Sequence, residues 1–168
     1  MEKTSLTFKK ISTNDFHFLK SILQSEELML LGWGKIYTDE EVEGWINKIT
    51  QQYQEYGYSY FIVADTRTQQ SIGIAGIIKT TINFTTLDEI AYIVKKEYQG
   101  LGYGTKIVQE LVKLAFNHYH LPQIFAQFAI ENRASQKILE KSGLTFDFSY
   151  QRKQNGMLKE HLVYRLKN

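Results

Sequence analysis

Cysteine is absent from the 168-residue chain, which removes disulfides, thiolate metal sites and a cysteine nucleophile together. No extracellular disulfide scaffold is indicated, and a cytoplasmic setting is the expectation. Proline occurs once, at Pro122, and no low-complexity tract or shift in composition marks a linker or a repeat. Long apolar runs are missing as well. None approaches the roughly 18 residues of a membrane helix, and Met1-Glu2-Lys3 leads into no apolar signal core. Neither sign of charge dominates: 20 basic and 18 acidic residues are interspersed, for a net +2. That balance offers nucleic acid no broad electropositive surface. Lys9-Lys10, Lys95-Lys96 and Arg152-Lys153 read as solvated strand ends. The four histidines show no metal-ligand spacing and read as surface or helix-end residues. The expectation is one domain over residues 1–168, without metal, membrane or nucleic acid, burying about 70% of its unfolded surface.

What the chain does have is a glycine cluster in an informative place. Gln99-Gly100-Leu101-Gly102-Tyr103-Gly104 follows a strand-like run, Glu89 to Val94, and precedes a helix-like run, Thr105 to His118. Strand, glycine loop and helix in that order make an anion cradle, because glycines let main-chain N–H groups converge and the helix N-terminus adds positive potential. Lys95 and Lys96 stand close enough to draw a phosphate. A nucleotide-triphosphatase loop is excluded, since only three residues separate Gly100 from Gly104 and the ending reads Gly104-Thr105-Lys106. A dinucleotide fingerprint fails too, with Thr105 where glycine is required and no acidic residue at His120 to Gln123.

Gln99, Gly102 and Gly104, with Gly100 as an extra glycine, resemble the coenzyme A loop of the GNAT N-acetyltransferases. The likeness continues in Asn132-Arg133-Ala134-Ser135, which is similar to the Asn-x-x-Ser segment of that superfamily, and in Lys141-Ser142-Gly143-Leu144, where Leu144 replaces the usual Phe. The Asn-x-x-Ser form and the tail from Asn155-Gly156 to Leu166 resemble the RimJ/RimL-like branch, which acetylates ribosomal-protein N-termini.

Periodicity supplies the elements in the order β, α, α, three β, α, β, α, two β. Leu6-Thr7-Phe8 opens a strand, and Asp15 to Leu23 carries a helical apolar stripe. Thr38 and Glu41 make a capping box ahead of Val42, Trp45, Ile46, Ile49 and Tyr53. Tyr58 to Ala64 and Ser71 to Thr80 read as a hairpin, and Gln123 to Ile130 as the strand after the glycine-loop helix. Asn132 suits a helix cap and Gly143 a left-handed end. Asn155-Gly156 suits a tight turn between the last two strands. The resemblance implies an α/β (α+β) GNAT fold: a mixed, mostly antiparallel seven-stranded sheet, a splayed parallel strand pair at its centre, and about four flanking helices.

The same resemblance implies acetyl-CoA as cosubstrate and an amine acceptor, most simply the α-amine of a protein or peptide, with a polyamine, amino acid or antibiotic as the alternative. A coenzyme A sensor or partner-binding module without turnover is the alternative of a different class. Cofactor contacts are expected from Gly100, Leu101, Gly102, Tyr103, Gly104 and Thr105, from Gln99 at the loop entrance, from main-chain groups near Ile93 and Val94, and from Asn132. Those near Ile93 and Val94 would donate to the thioester carbonyl as negative charge develops on its oxygen. Glu89 is the candidate base, acting through water, with a solvated or ion-paired strand carboxylate as its plainer role. Ser135 is the candidate proton donor to the leaving thiolate, against an ordinary place in a first helical turn. Many GNAT enzymes use a tyrosine there, and 11 tyrosines leave none selected. Glu26, Glu27 and Trp33 stand where the resemblance places an acceptor wall, and they serve equally as loop anchors. A homodimer is compatible with all of this.

Overall fold

A computed structural model describes residues 5–168; the charged start Met1-Glu2-Lys3 lies outside them. The capping box forms as written: Glu41 N–H donates to Thr38 Oγ1 (3.2 Å) and Thr38 N–H to Glu41 Oε2 (2.9 Å). The long helix α3 (Asp39–Tyr56) follows, and its stripe of Val42, Trp45, Ile46 and Ile49 is buried. That stripe packs with Leu19, Ile22 and Leu23 of α1 (Phe16–Leu23) against Tyr60, Ile62, Ile74 and Ile93 of the sheet. Between them α2 (Glu26–Met29) adds one turn, capped by Ser25 Oγ accepting from Leu28 N–H (3.3 Å). The opposite face of the sheet is covered by α4 (Tyr103–Lys113) and α5 (Arg133–Lys141), through Ile107, Val108, Leu111 and Leu139.

The strands are β1 (Leu6–Lys10), β2 (Tyr60–Asp65), β3 (Ser71–Ile82), β4 (Thr85–Val94), β5 (Gln123–Ala129), β6 (Thr145–Gln154) and β7 (Met157–Lys167). They form one seven-stranded sheet in the order β1-β2-β3-β4-β5-β7-β6, antiparallel except at β4–β5. This is the expected architecture, with five helices rather than four because α2 forms.

The β4–β5 junction organises everything that follows. β3 and β4 pair continuously from Gly73↔Val94 to Ile82↔Thr85, whereas β4 and β5 pair only at Glu89↔Phe125. Beyond that point they diverge, leaving main-chain edges unpaired in the middle of a sheet. Parallel strands with both faces covered by helices give this opening apolar walls.

Among the boundaries that differ from the periodicity, three matter most for the site. β4 starts at Thr85 rather than Glu89, because Asn83 and Phe84 (φ +49° and +65°) close a two-residue turn. Phenylalanine in the left-handed region is uncommon, so Asn-Phe carries none of the signature of Asn-Gly. The helix after the glycine loop begins at Tyr103, and beyond Lys113 it widens into a π turn over Leu114–His118. β5 ends at Ala129. The Asn155-Gly156 turn (φ +50° and +75°) and the left-handed Gly143 (φ +92°) fall where expected.

Candidate active site

The glycine loop is shaped by two left-handed residues. Gly100 (φ +73°) and Gly102 (φ +86°) occupy backbone that favours glycine, and a Cβ at either would meet nothing within 4 Å. The requirement there is conformational, and the space above the loop is open. Gly104 answers a different need: a Cβ would fall 2.6 Å from Ile138 Cδ1, so its bareness lets α4 close on α5. The first hydrogen bond of α4 runs from Lys106 N–H to Gly102 O (3.1 Å), which leaves the N–H groups of Tyr103, Gly104 and Thr105 ahead of the helical ladder. Together with the helix dipole they present positive potential to an anion. Nearby cations are already engaged, Lys95 with Glu97 (2.9 Å), Lys96 with Glu27, and Lys106 with Glu110 (2.9 Å).

The loop leads into the gap between β4 and β5. Lys95 N–H donates to Ile72 O (2.9 Å), so by the alternation of antiparallel pairing Ile93 also turns its main chain to β3. The main chains of Tyr92 and Val94 then turn to the gap. Gln99 Nε2 occupies Val94 O (2.8 Å) and pins the loop to the strand. The Val94 N–H and both main-chain groups of Tyr92 remain as the polar edge of the opening. Asn132 caps α5 by accepting from Ser135 N–H (3.2 Å). Ser135 Oγ in turn accepts from the Tyr92 hydroxyl (3.2 Å). Burial pushes that phenol up to about 12, against the hydrogen bond to Ser135, so it keeps its proton at neutral pH.

A cavity of about 460 Å³ runs from this gap across the sheet. Of the expected residues, Glu89, Ile93, Val94, Gln99, Gly100, Gly104, Asn132 and Ser135 line it. Leu101, Gly102, Tyr103 and Thr105 do not: the first two form the outer turn of the loop and the last two belong to the first turn of α4. The Tyr103 side chain is turned away, its hydroxyl donating to Asp65 Oδ2 (2.6 Å).

Glu89 is only 8 % exposed and forms no ion pair among the described residues, so the picture of a solvated or ion-paired strand carboxylate does not hold. Gln127 Nε2 donates to Glu89 Oε2 (3.1 Å), and the Tyr150 hydroxyl in turn donates to Gln127 Oε1. Burial raises the Glu89 pKa above the ordinary glutamate value, opposed by hydrogen bonds from Thr80 and Gln127 and by the charge of Arg152. A buried carboxyl with a raised pKa, facing a cavity, has the environment of a group that exchanges protons.

Two residues read as surface turn inward. His161 is 1 % exposed and lines the cavity; its Nδ1 lies 3.2 Å from Lys159 O, so it carries the proton there. Burial lowers its pKa, which keeps the ring neutral. Arg152 also lines the cavity rather than ending a strand in solvent, because β6 alternates and sends Phe148, Tyr150, Arg152 and Gln154 to one face. Tyr92, Gln127 and Arg152 were therefore missed. For Tyr92 and Gln127 the signal was a lone polar side chain inside an apolar strand run, Ile90 to Val94 and Ile124 to Ile130; Arg152, among Gln151, Lys153 and Gln154, carried none.

The remaining wall comes from Glu27, Leu28, Leu31, Gly32 and Trp33. Glu27 is committed to Lys96, and Trp33 packs among Tyr37, Trp45 and Tyr60 with centroids 5.8–6.0 Å away, so both act as anchors. The tip of the last hairpin clasps this wall, through Gln154 Nε2 to Gly32 O (2.8 Å) and Asn155 Nδ2 to Gly34 O.

Residues 5–145 match the family described as Acetyltransferase (GNAT) domain. A curated relative, the uncharacterized protein YkkB of Bacillus subtilis, is 28% identical over 102 residues, which span 61% of this chain and 59% of that protein. The fold is similar to that of a spermidine N-acetyltransferase from Vibrio cholerae solved with CoA and spermine (TM-score 0.79, 20% identity, 96% of this chain and 95% of that one). It is equally similar to a ribosomal-protein-S5-alanine acetyltransferase from Vibrio fischeri (TM-score 0.79, 20% identity, 100% and 96%).

Proposed function

Since the chain belongs to the GNAT acetyltransferase family, we propose that it transfers the acetyl group of acetyl-CoA to a primary amine by direct attack, with both substrates bound at once. The observation that carries this reading is the buried carboxyl of Glu89 at the point where β4 and β5 part, with the glycine loop at the mouth of the same opening. The residues fit the cosubstrate: a cradle of free N–H groups suits a diphosphate, and an apolar-walled gap with unpaired main-chain edges suits a pantetheine arm. The Gly100–Thr105 amides hold the phosphates, Asn132 and the Tyr92 and Val94 main chains line the arm, and Gln99 fixes the loop.

Acetyl-CoA supplies the acetyl group as an activated thioester. Glu89, directly or through a water, takes the proton that the acceptor's ammonium must lose before its lone pair is free. An α-amine, with a reference pKa near ~8, asks less of such a base than a lysine near ~10.4. The Val94 N–H faces the gap where the carbonyl oxygen gains charge as the nitrogen adds. Ser135 gives its proton to the departing sulfur. The Tyr92 phenol, whose hydroxyl donates to Ser135, replaces that proton as it leaves and is itself reprotonated from solvent.

The acceptor we propose is the α-amine of a peptide or protein, as in the RimJ/RimL-like branch. A small amine is the second reading, favoured by the fold shared with an enzyme named for spermidine. Incubation with acetyl-CoA and a panel of N-terminal peptides, polyamines and aminoglycosides, read by thiol release and mass spectrometry, tests both. Acetate on a peptide α-nitrogen is the expected product. Modification of small amines alone would move the acceptor to the second reading, and no thiol release with any amine would contradict catalysis.

A further inference from the structure

At the acceptor end of the cavity one cation, Arg152, is left without an ion pair among the described residues. Lys79 pairs with Asp88 (2.7 Å), Lys159 with Glu131 (3.7 Å) and Arg165 with Asp147 (3.4 Å). Arg152 is half-buried and lines the cavity, yet among the described residues it forms no ion pair and no hydrogen bond. The groups within its field are the hydroxyls of Tyr37, Tyr60 and Tyr150, the neutral ring of His161, and Glu89. Glu89 is held instead by Gln127. A guanidinium drawn from water and left unpaired costs free energy that a planar, bidentate anion would offset. Arginine suits that task because its fork of donors is fixed.

Resting on the acetyltransferase reading above, we propose that Arg152 recognises a carboxylate carried by the acceptor close to its amine. The amine then stands toward Glu89 while the carboxylate meets the guanidinium at the β6 side of the same cavity. Free α-amino acids and peptides whose first side chain is Asp or Glu share this chemistry. A polyamine does not: it brings only positive charge and leaves the guanidinium unpaired. Arg152 is thus a specificity residue, and no proton passes through it.

The test pairs each carboxylate acceptor with its neutral isostere: a free amino acid against its amide, and an Asp- or Glu-initiated peptide against the Asn or Gln form. Wild-type enzyme is expected to favour the carboxylate member by about 10- to 100-fold in kcat/KM, the range of a charge-assisted hydrogen bond. Which pair shows the preference identifies the source of the carboxylate. Arg152→Gln should bring the members of that pair together, and Arg152→Lys should restore part of the difference. Fluorescence of the cavity's Trp33 during titration with the same compounds, without acetyl-CoA, reads binding apart from turnover. Saturation by the carboxylate compound should weaken at least about tenfold in Arg152→Gln, with circular dichroism showing the variant folded. Equal use of both members of every pair, or a preference that survives Arg152→Gln, would overturn the proposal and leave acetyl transfer standing. Absence of transfer to every amine, with no carboxylate-dependent fluorescence change, would overturn both.

Discussion

The two ends of the cavity are built on different principles. The proposed donor end is local and made of main chain: Tyr92 and Val94, the loop from Gln99 to Gly104, the first turn of α4 and the cap of α5 all lie between residues 92 and 139, and the proposed contacts use their N–H groups. The acceptor end is assembled from side chains on β2, β3, β4, β5, β6 and β7 and from the α2 wall, which brings Trp33 and Arg152 to one space. A main-chain cradle needs glycine and a helix start, and tolerates change elsewhere. A side-chain pocket can be retuned by a single residue. The fold therefore fixes the donor and leaves the acceptor adjustable.

Substituting Glu89, which stands where the two ends meet, has the largest expected effect. Glu89→Gln should lower kcat/KM by about 10²- to 10³-fold, the range of a general base, with acetyl-CoA affinity nearly unchanged by calorimetry. Loss of affinity instead would place Glu89 at the donor end and break the division. In the wild-type enzyme, activity should rise with pH as Glu89 loses its proton, along a limb above the ordinary glutamate range because burial raises its pKa. Stability moves the other way. The folded state holds that proton more tightly than the unfolded chain does, so stability falls as pH rises from the ordinary value of 4.5 through the raised one. Glu89→Gln should abolish this fall, visible as a flatter profile of Tm against pH.

Gly102→Glu should act only on the donor end. It forces an L-residue to φ +86° and brings negative charge toward a diphosphate, weakening acetyl-CoA by about 10- to 100-fold. The fold should survive, because a Cβ there meets nothing within 4 Å. Smaller still, Ser135→Ala and Tyr92→Phe should each lower kcat by about tenfold or less without moving KM for the amine, since a hydroxyl is a modest acid and solvent can replace it. Thr38→Ala touches neither end. It removes the α3 cap for about 1 kcal/mol, or roughly 2–4 °C in Tm, with kcat/KM unchanged.

The same division explains what could be read from residues alone. The glycine loop, the Asn132 cap and the Asn155-Gly156 turn are short-range devices whose spacing is their mechanism, and each stands where its neighbours predict. Phe84 defeated the reading of the β3–β4 turn because its left-handed φ is imposed by strand pairing rather than preferred by the residue. Arg152 beside Lys153 looks like a solvated pair until the β6 register sends one inward and the other out. His161 is hidden by the same means, pairing with Ala129 and Tyr150 in the interior of the sheet. Glu89 was legible as a position and not as an environment, since its burial depends on where β5 leaves β4.

Main-chain amides at the start of α4 and along the open edge of β4 are proposed to hold the acetyl donor. A crystal structure with coenzyme A tests this most directly. The diphosphate is expected on the N–H groups of residues 100 to 105 and the pantetheine between Tyr92–Val94 and β5. Coenzyme A bound with that loop and gap vacant would contradict it.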